Sequence, residues 1–182
     1  MSMSDFTALD DPALVEQARH NPEAFAVLYR RYLTLIYGYL QRRVENVHAA
    51  EDLTAQTFME ALDGLKHKRY REGGTFRAWL FTIARRRLVD FYRERPSIEL
   101  VDPPSSEPSL LATLEMNDDL RRLTHILKKL DPEKQELLRL RFTANLSFAE
   151  IAMLEGKTEA AVKMAIYRIL DFLRQAWEAE NG

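Results

Sequence analysis

The chain has 182 residues, of which 46% are hydrophobic and 30% charged, a composition that fits a soluble globular protein of one ordinary domain or two small ones. It contains no cysteine, which excludes disulfide bonds and thiolate metal sites, and its net charge of −2 argues against uniform coating of nucleic acid. The N-terminal residues lack the apolar core of a signal peptide, and no apolar run approaches the ~20 residues of a membrane span. We therefore expect a cytoplasmic protein without membrane insertion.

The first helices are marked by two pairs of an N-cap residue and a proline, Asp11-Pro12 and Asn21-Pro22. After the second pair, apolar residues recur at the three-and-four spacing of one helical face. These residues are Phe25, Leu28, Tyr29, Tyr32, Leu35, Ile36, Tyr39 and Leu40. The pattern predicts a long amphipathic helix that packs against the rest of this half.

Two further helices follow, one from about His48 to Leu65 and one from near Thr75 to about Arg95. The earlier of the two is predicted to bury Leu53, Thr57, Ala61 and Leu65. The later one carries an apolar stripe of Leu80, Ile83, Ala84, Leu88 and Phe91. The first half is therefore predicted to be a helical bundle.

The last of these helices lies in a basic region that also contains aromatic rings. From Lys66 to Arg95, ten Lys or Arg residues stand against three acidic ones, a local net charge of +7. Rings that stack on bases, together with guanidinium groups that hold phosphates, suit single-stranded or opened nucleic acid. The alternative is that the rings are core and the arginines only solubilise the helix. We favour the core for Phe81 and Phe91, and nucleic-acid contact for Trp79 and the run Arg85–Arg87.

A proline-rich stretch separates the two halves of the chain. Four of the seven prolines lie between Pro96 and Pro108, among serines and without helical periodicity. Proline removes backbone donors and biases its predecessor away from helix, which indicates a flexible extended linker. We predict two small helical domains, residues 1–95 and 116–182, joined by a linker at 96–115.

The second half also has the pattern of helices throughout. A stripe of Leu120, Leu123, Leu127 and Leu130 is followed by a helix that starts at Asp131-Pro132 and continues to about Phe142. Ser147 and Glu150 form a capping box before a short helix that ends at Gly156, and Thr158 caps the final helix. Because no segment shows sustained period-2 alternation, the predicted fold class is all-α.

The segment from Ser147 to Arg174 has the order of a helix-turn-helix, a motif whose second helix enters the major groove of DNA. Its final helix turns Lys163, Met164, Tyr167 and Arg168 away from the apolar stripe. Lys163 and Arg168 have the chemistry for contacts with phosphates or base edges. An ordinary helical hairpin with a solvated charged face would show the same pattern.

Three segments resemble, in order and spacing, the extracytoplasmic-function (ECF) sigma factors of bacterial RNA polymerase, a group of the sigma-70 family. Residues 51–58 (EDLTAQTF) resemble the polymerase-binding signature of region 2.2, and residues 76–85 (FRAWLFTIAR) resemble the helix of regions 2.3 and 2.4. Residues 131–141, followed by 147–152, resemble region 4 with its helix-turn-helix. The similarity extends from about Phe25 to Leu173.

The resemblance implies a protein that binds core RNA polymerase, through the beta-prime clamp helices and the beta flap, and recognises the −35 and −10 promoter elements. The polymerase-binding residues implied for region 2 are Glu51, Asp52, Gln56 and Phe58. Those implied for melting and recognition of the −10 element are Phe76, Trp79, Arg85, Arg86, Arg87 and Arg93. Those implied for the −35 element are Thr158, Lys163, Met164, Tyr167 and Arg168. An anti-sigma factor is a further implied partner, and no cofactor or metal is implied.

Two departures from the family pattern bear on promoter choice. Arg86 stands where the family often has asparagine, and arginine cannot make the same paired amide bonds to a base edge. Met164 and Ala165 stand where serine and arginine are frequent. We expect these two to shift recognition of the −35 element toward shape and apolar contact with thymine methyl groups.

Two other classes of protein remain as alternatives. A helix-turn-helix regulator that acts without polymerase would leave the arginine-aromatic helix and the region 2.2 signature unexplained, and it would dimerise on palindromic sites. An enzyme is not expected, because the histidines (His20, His48, His67 and His125) lack metal-ligand spacing and there is no phosphate-binding glycine loop.

Overall fold

The computed structural model describes residues 6–44, 46–70, 74–94 and 118–181. Within these ranges the regular elements are helices, which confirms the predicted all-α fold class. The chain divides into two compact units, Met1–Pro103 and Pro104–Gly182. The predicted linker at 96–115 lies outside the described residues, and its bounds stay a prediction.

The first unit contains four described helices: α1 (Asp11–Ala18), α2 (Pro22–Gln41), α3 (Val47–Lys66) and α4 (Phe76–Arg93). Each begins at a polar residue whose side chain accepts a hydrogen bond from a backbone N–H of the first turn, and these N-caps are Asp10, Asn21, Asn46 and Thr75. The predicted cap at Asn21 is confirmed, whereas the one at Asp11 is wrong by one residue. Asp11 instead accepts hydrogen bonds from Arg31 and Tyr32 on α2, which tie α1 to α2.

The core of this unit lies where α2, α3 and α4 pack on one another, with α1 against α2. The predicted inner faces of α3 and α4 are buried, except that Phe91 is only partly covered. On α2 the prediction was broader than the buried face, because Phe25 and Leu35 are half-buried and Tyr29 is exposed. The α2 residues that are buried are Ala24, Val27, Leu28, Tyr32, Ile36, Tyr39 and Leu40.

The second unit contains α5 (Asp118–Lys128), α6 (Pro132–Leu138), a π-helical turn (Arg139–Thr143), α7 (Phe148–Glu155) and α8 (Glu159–Asn181). The predicted leucine stripe on α5 was wrong in part. Leu120 and Leu123 are exposed and Leu127 is half-buried, and Ile126 is the buried residue of α5. Leu130, just after the helix, is buried as predicted. The reason is that α5 packs against α8 along the face that carries Ile126, so the leucines of its first turns point outward.

The helix that starts at Pro132 changes from α-helical to π-helical winding at Arg139, before its predicted end at about Phe142. The backbone N–H of Ala144 bonds the carbonyl of Arg139, five residues earlier, at 2.9 Å. The following residue, Asn145, has a φ of +53°, and the N–H of Leu146 bonds the carbonyl of Leu140 at 3.0 Å. This turn leads the chain directly into the N-cap of α7.

Candidate polymerase and nucleic-acid interfaces

The exposed edge of α3 presents the polar residues of the predicted polymerase-binding set. Glu51, Asp52 and Gln56 are exposed, while the next residue of the opposite face, Leu53, is buried. Thr57 is buried beside Leu53, and its hydroxyl is satisfied there because it donates to the carbonyl of Leu53 at 2.7 Å. The edge therefore offers carboxylates and an amide that can meet basic or polar groups of a partner.

Phe58 does not belong to this edge, which corrects the prediction. Its side chain is 3% exposed, and its ring meets that of Tyr29 on α2 edge to face, with centroids 4.7 Å apart. Such a ring cannot reach a partner while α2 and α3 are packed, so we assign it to the core. The sequence pattern missed Met59, which is 71% exposed and follows Gln56 by three residues on the same edge.

The first turn of α4 contains a second correction. Phe76 was predicted to border melted DNA, yet it is 1% exposed. Its ring lies 5.7 Å from that of Tyr32, 6.2 Å from Tyr70 and 5.8 Å from Trp79. These are the distances of packed aromatic pairs, and Phe76 is thus the centre of a core cluster on which Trp79 rests.

Trp79 keeps part of its surface open at the edge of this cluster. Its ring lies over Gly64 of α3 and 5.2 Å from the ring of Tyr70. The hydroxyl of Tyr70 donates to the carbonyl of Gly74 at 2.6 Å, which fixes the entry into α4. The indole thus packs against residues from three segments, and its open part has the chemistry to stack on a base.

The three consecutive arginines of α4 differ in their surroundings. Arg85 is partly exposed, and the side chains of Arg86 and Arg87 are 59% and 36% exposed. Both Arg86 and Arg87 form ion pairs with Glu60 of α3, whose side chain is only 16% exposed. Arg93 is exposed in the last turn of α4, where a cation is favoured by the helix dipole. Glu60 was not among the predicted residues, because it lies more than 25 residues from its partners along the chain.

The α3 edge and the arginines of α4 meet at one depression of about 380 Å³. Its walls come from both helices and from the segment after α3. They are Gln56, Met59, Glu60, Asp63, Arg69, Arg86 and Arg87. The predicted polymerase-binding and DNA-binding residues of this unit are thus neighbours on one surface.

In the second unit the predicted helix-turn-helix is built as expected. The N–H of Glu150 donates to the Ser147 hydroxyl at 3.2 Å, and the N–H of Ser147 donates to the Glu150 carboxylate at 2.8 Å. The capping box is therefore confirmed. Gly156 has a φ of +62°, which ends α7, and the Thr158 hydroxyl accepts from the N–H of Ala161 at 3.2 Å to start α8.

The outer face of α8 carries the residues predicted to read the −35 element. Lys163, Met164, Tyr167 and Arg168 are exposed, whereas Val162, Ile166 and Ile169 are buried. Thr158 is exposed at the N-terminus of the helix. The prediction of which side of α8 faces outward is confirmed.

A row of rings and cations, which the sequence pattern did not indicate, supports this face. The Arg141 guanidinium lies 4.7 Å from the centre of the Phe148 ring and donates to the Leu146 carbonyl at 2.7 Å. The Phe148 ring is 6.2 Å from that of Tyr167, over which the Lys163 ammonium lies at 5.8 Å. Tyr167 is therefore braced from α7.

Among the residues that the structure describes, no helix combines the length and the apolar character that crossing a membrane requires.

Comparison with known proteins identifies the family of both units. Residues 28–97 match the family model for sigma-70 region 2, and residues 120–173 match that for sigma-70 region 4. The ECF RNA polymerase sigma factor BldN of Streptomyces coelicolor is 37% identical over 166 residues, which cover 85% of this chain and 61% of BldN. The RNA polymerase sigma factor YlaC of Bacillus subtilis is 30% identical over 148 residues, which cover 78% of this chain and 84% of YlaC.

Among solved structures, CnrH, determined in complex with the cytosolic domain of CnrY, is 27% identical to this chain. The two structures superpose with a TM-score of 0.67 over 93% of this chain and 97% of CnrH. Family models, relatives and structure thus agree across both units. The chain belongs to the sigma-70 family, in the ECF group of RNA polymerase sigma factors, regulatory DNA-binding proteins that direct transcription from specific promoters.

Proposed function

We propose that this chain binds core RNA polymerase and directs initiation at promoters by recognising the −35 and −10 elements and by melting the −10 region. One observation carries the proposal. Each unit has a separate exposed face with DNA-binding chemistry, and the unit with the basic α4 also has a polar face on the neighbouring helix. In this proposal residues 1–95 act on polymerase and the −10 element, and residues 116–182 act on the −35 element.

Polymerase is bound in this proposal by the exposed edge of α3, through Glu51, Asp52 and Gln56, against the beta-prime clamp helices. Phe58 contributes from beneath by holding α3 against Tyr29. The region 4 unit binds the beta flap. In this proposal the chain itself is not an enzyme and needs no cofactor.

The −10 element is melted and held by α4. Trp79 stacks on a base of the opened strand, while Arg85, Arg86, Arg87 and Arg93 hold its phosphates. Phe76 supports Trp79 from the core and does not touch DNA. Unstacking a base step costs on the order of a few kcal/mol, which these contacts and polymerase binding offset without ATP.

The −35 element is read as duplex DNA by α8 in the major groove. Lys163 and Arg168 supply phosphate or base-edge contacts, and Thr158 lies at the N-terminus of the helix. Met164 and Tyr167 add an apolar surface, which favours contact with thymine methyl groups. Recognition at this element therefore depends in part on apolar contact.

An anti-sigma factor is the third partner in this proposal, together with a cytoplasmic location. CnrH was solved with a second protein bound, the cytosolic domain of CnrY, and this chain resembles CnrH over both units. A partner that covers the α3 edge would exclude polymerase. One that covers α8 would exclude the −35 element.

The proposal is tested by transcription of fragmented genomic DNA with purified core polymerase, with and without the chain, followed by sequencing of RNA 5′ ends. New start sites that share two sequence boxes at fixed spacing are expected. If no new start sites form and the chain is not retained on core polymerase, the proposal fails, and a regulator that acts without polymerase takes its place.

A further inference from the structure

A single carboxylate joins the two helices that carry the interfaces of the first unit. Glu60 lies on α3, and each of its two oxygens holds one arginine of α4. Oε2 accepts from Arg87 Nε at 2.8 Å and lies 2.7 Å from Arg87 Nη2, while Oε1 pairs with Arg86. With 16% of its side-chain surface exposed, Glu60 is the most buried member of the group.

This arrangement changes what the two arginines can offer to a phosphate. Arg87 turns its Nε–Nη2 edge toward Glu60, and that edge is one of the pairs of donors with which a guanidinium grips an anion. The group of three side chains carries a net charge of +1, where the two arginines alone would carry +2. Because the carboxylate of Glu60 is half-buried, salt screens its ion pairs with the two arginines less than it would screen exposed pairs.

We propose that Glu60 is a positioning residue that sets the selectivity of the arginine run for DNA. It holds Arg87 between α3 and α4, draws Arg86 toward α3, and lowers by about one the positive charge that the two arginines present to phosphates. Nonspecific binding to single-stranded DNA is weak as a result. Stable binding of the opened strand then depends on the further contacts that a promoter sequence provides. The inference rests on the proposed role of these arginines in binding the opened strand.

The salt dependence of the affinity for single-stranded DNA distinguishes this role from one in which Glu60 only stabilises the packing of α3 on α4. Each phosphate neutralised on single-stranded DNA contributes a slope of about −0.7 to the logarithm of affinity against the logarithm of salt concentration. Replacing Glu60 with glutamine removes its charge and retains an acceptor. If Glu60 restrains the arginines, Glu60→Gln gains about one phosphate contact, and the slope becomes steeper by about 0.7.

The experiment measures fluorescence anisotropy of a labelled 20-nucleotide oligo(dT) bound by the full-length chain over a series of NaCl concentrations. Glu60→Gln is expected to bind more tightly at low salt, with the steeper slope. Glu60→Asp retains the charge and is expected to restore a slope close to that of wild type. Glu16→Gln is the matched control, since it removes the same charge and an ion pair to Arg19, 3.1 Å long, on α1; it should leave the slope unchanged.

A double-variant comparison tests whether the effect acts through the arginines. In a chain with Arg86→Ala and Arg87→Ala, the further change Glu60→Gln should no longer alter the slope. If Glu60→Gln in the wild-type background lowers only the melting temperature and leaves the slope unchanged, the proposal is overturned. Glu60 then only stabilises the packing of α3 on α4. Absence of measurable binding by Glu60→Gln at the lowest salt would overturn it too. If this variant does not fold, Glu60→Met, of similar length and uncharged, takes its place.

The proposed function is judged separately, by transcription with the wild-type chain. New start sites together with an unaltered slope for Glu60→Gln would refute the role of Glu60 alone. Lack of start sites and of retention on core polymerase would refute the sigma-factor roles of these surfaces, whatever the slope.

Discussion

The ring of Trp79 occupies the space that a side chain at Gly64 would need. A Cβ atom at Gly64 would lie 2.8 Å from Cζ2 of Trp79 and 2.9 Å from its Cη2. Both are closer than carbon atoms approach without displacement. The position of Trp79, the partly exposed aromatic of the proposed −10 surface, therefore depends on the absence of a side chain at Gly64.

Gly64→Ala is expected to displace Trp79 and to destabilise the first unit by about 1–3 kcal/mol, as overpacking of a filled site does. Urea unfolding gives the free energy, and fluorescence in a Trp177→Phe background reports Trp79 alone, since the chain has two tryptophans. Gly38→Ala is the control, because a Cβ there meets nothing within 4 Å and alanine favours helix. Equal stability of the two variants would contradict this prediction, because it would show that Trp79 moves aside at no cost in free energy.

Tyr32→Phe is expected to lower the free energy of unfolding by about 1–2 kcal/mol at neutral pH, because the hydroxyl donates to the Asp11 carboxylate. Burial, and then the bond and charge of Asp11, raise the pKa of Tyr32 well above its ordinary value of 10.0. The folded state therefore retains the proton that the unfolded state loses, and this stabilisation is present below about pH 10 and declines as the pH rises further.

The measurement is chemical unfolding of wild type and Tyr32→Phe at neutral pH and above pH 10. The difference between them should shrink at the higher pH, since phenylalanine does not titrate. Tyr37→Phe removes a hydroxyl from the same helix and serves as the control. A difference that stays constant with pH would contradict the role of the Asp11 bond.

Asp52→Lys is expected to reduce retention on core polymerase at least about tenfold, since it replaces a carboxylate that we propose contacts the clamp helices by a cation. Asp52 is exposed on α3, so the melting temperature should change little. Pull-down of the variant with core polymerase at several salt concentrations measures the loss. Glu16→Lys, an equal charge reversal on α1, should be retained like wild type; if Asp52→Lys is retained as well, the α3 edge is not the docking surface.

Met164→Ser is expected to change the base preference at the −35 element without affecting the fold. The Met164 side chain is 52% exposed on the outer face of α8, and a lost apolar or gained polar contact discriminates bases by about 1–3 kcal/mol. Transcription from a promoter library randomised at the −35 box reads the preference. Met153→Ser, at a methionine of similar exposure on α7, is the control. Identical preferred boxes for wild type and Met164→Ser would show that Met164 does not read the element.

Helix starts and the orientation of amphipathic helices were predictable from the sequence because their causes are local. Asn21, Thr75 and the Ser147–Glu150 box each satisfy backbone groups within three residues, so a short window contains the whole interaction. The outward face of α8 follows from the spacing of its apolar residues in the same way.

The predictions that were wrong concern choices made by tertiary packing. Phe58 and Phe76 are aromatic residues inside motifs, and motif position alone cannot distinguish a ring that contacts a partner from one that fills the core. Ile126 is buried in place of Leu123 because α8 selects the face of α5 that it covers. The pairing of Glu60 with Arg87 joins residues on different helices, and only the packing of α3 on α4 brings them together.

The bond from Tyr32 to Asp11 has a practical consequence for fragments of this protein. The region 2 family model begins at residue 28, yet Phe6, Leu14 and Val15 are buried ahead of it, and Asp11 is held by two side chains of α2. A fragment trimmed to the family boundary would leave an apolar strip of α2 open to water, and such strips promote aggregation. Fragments of the first unit intended for expression should therefore retain α1 and the turn before it.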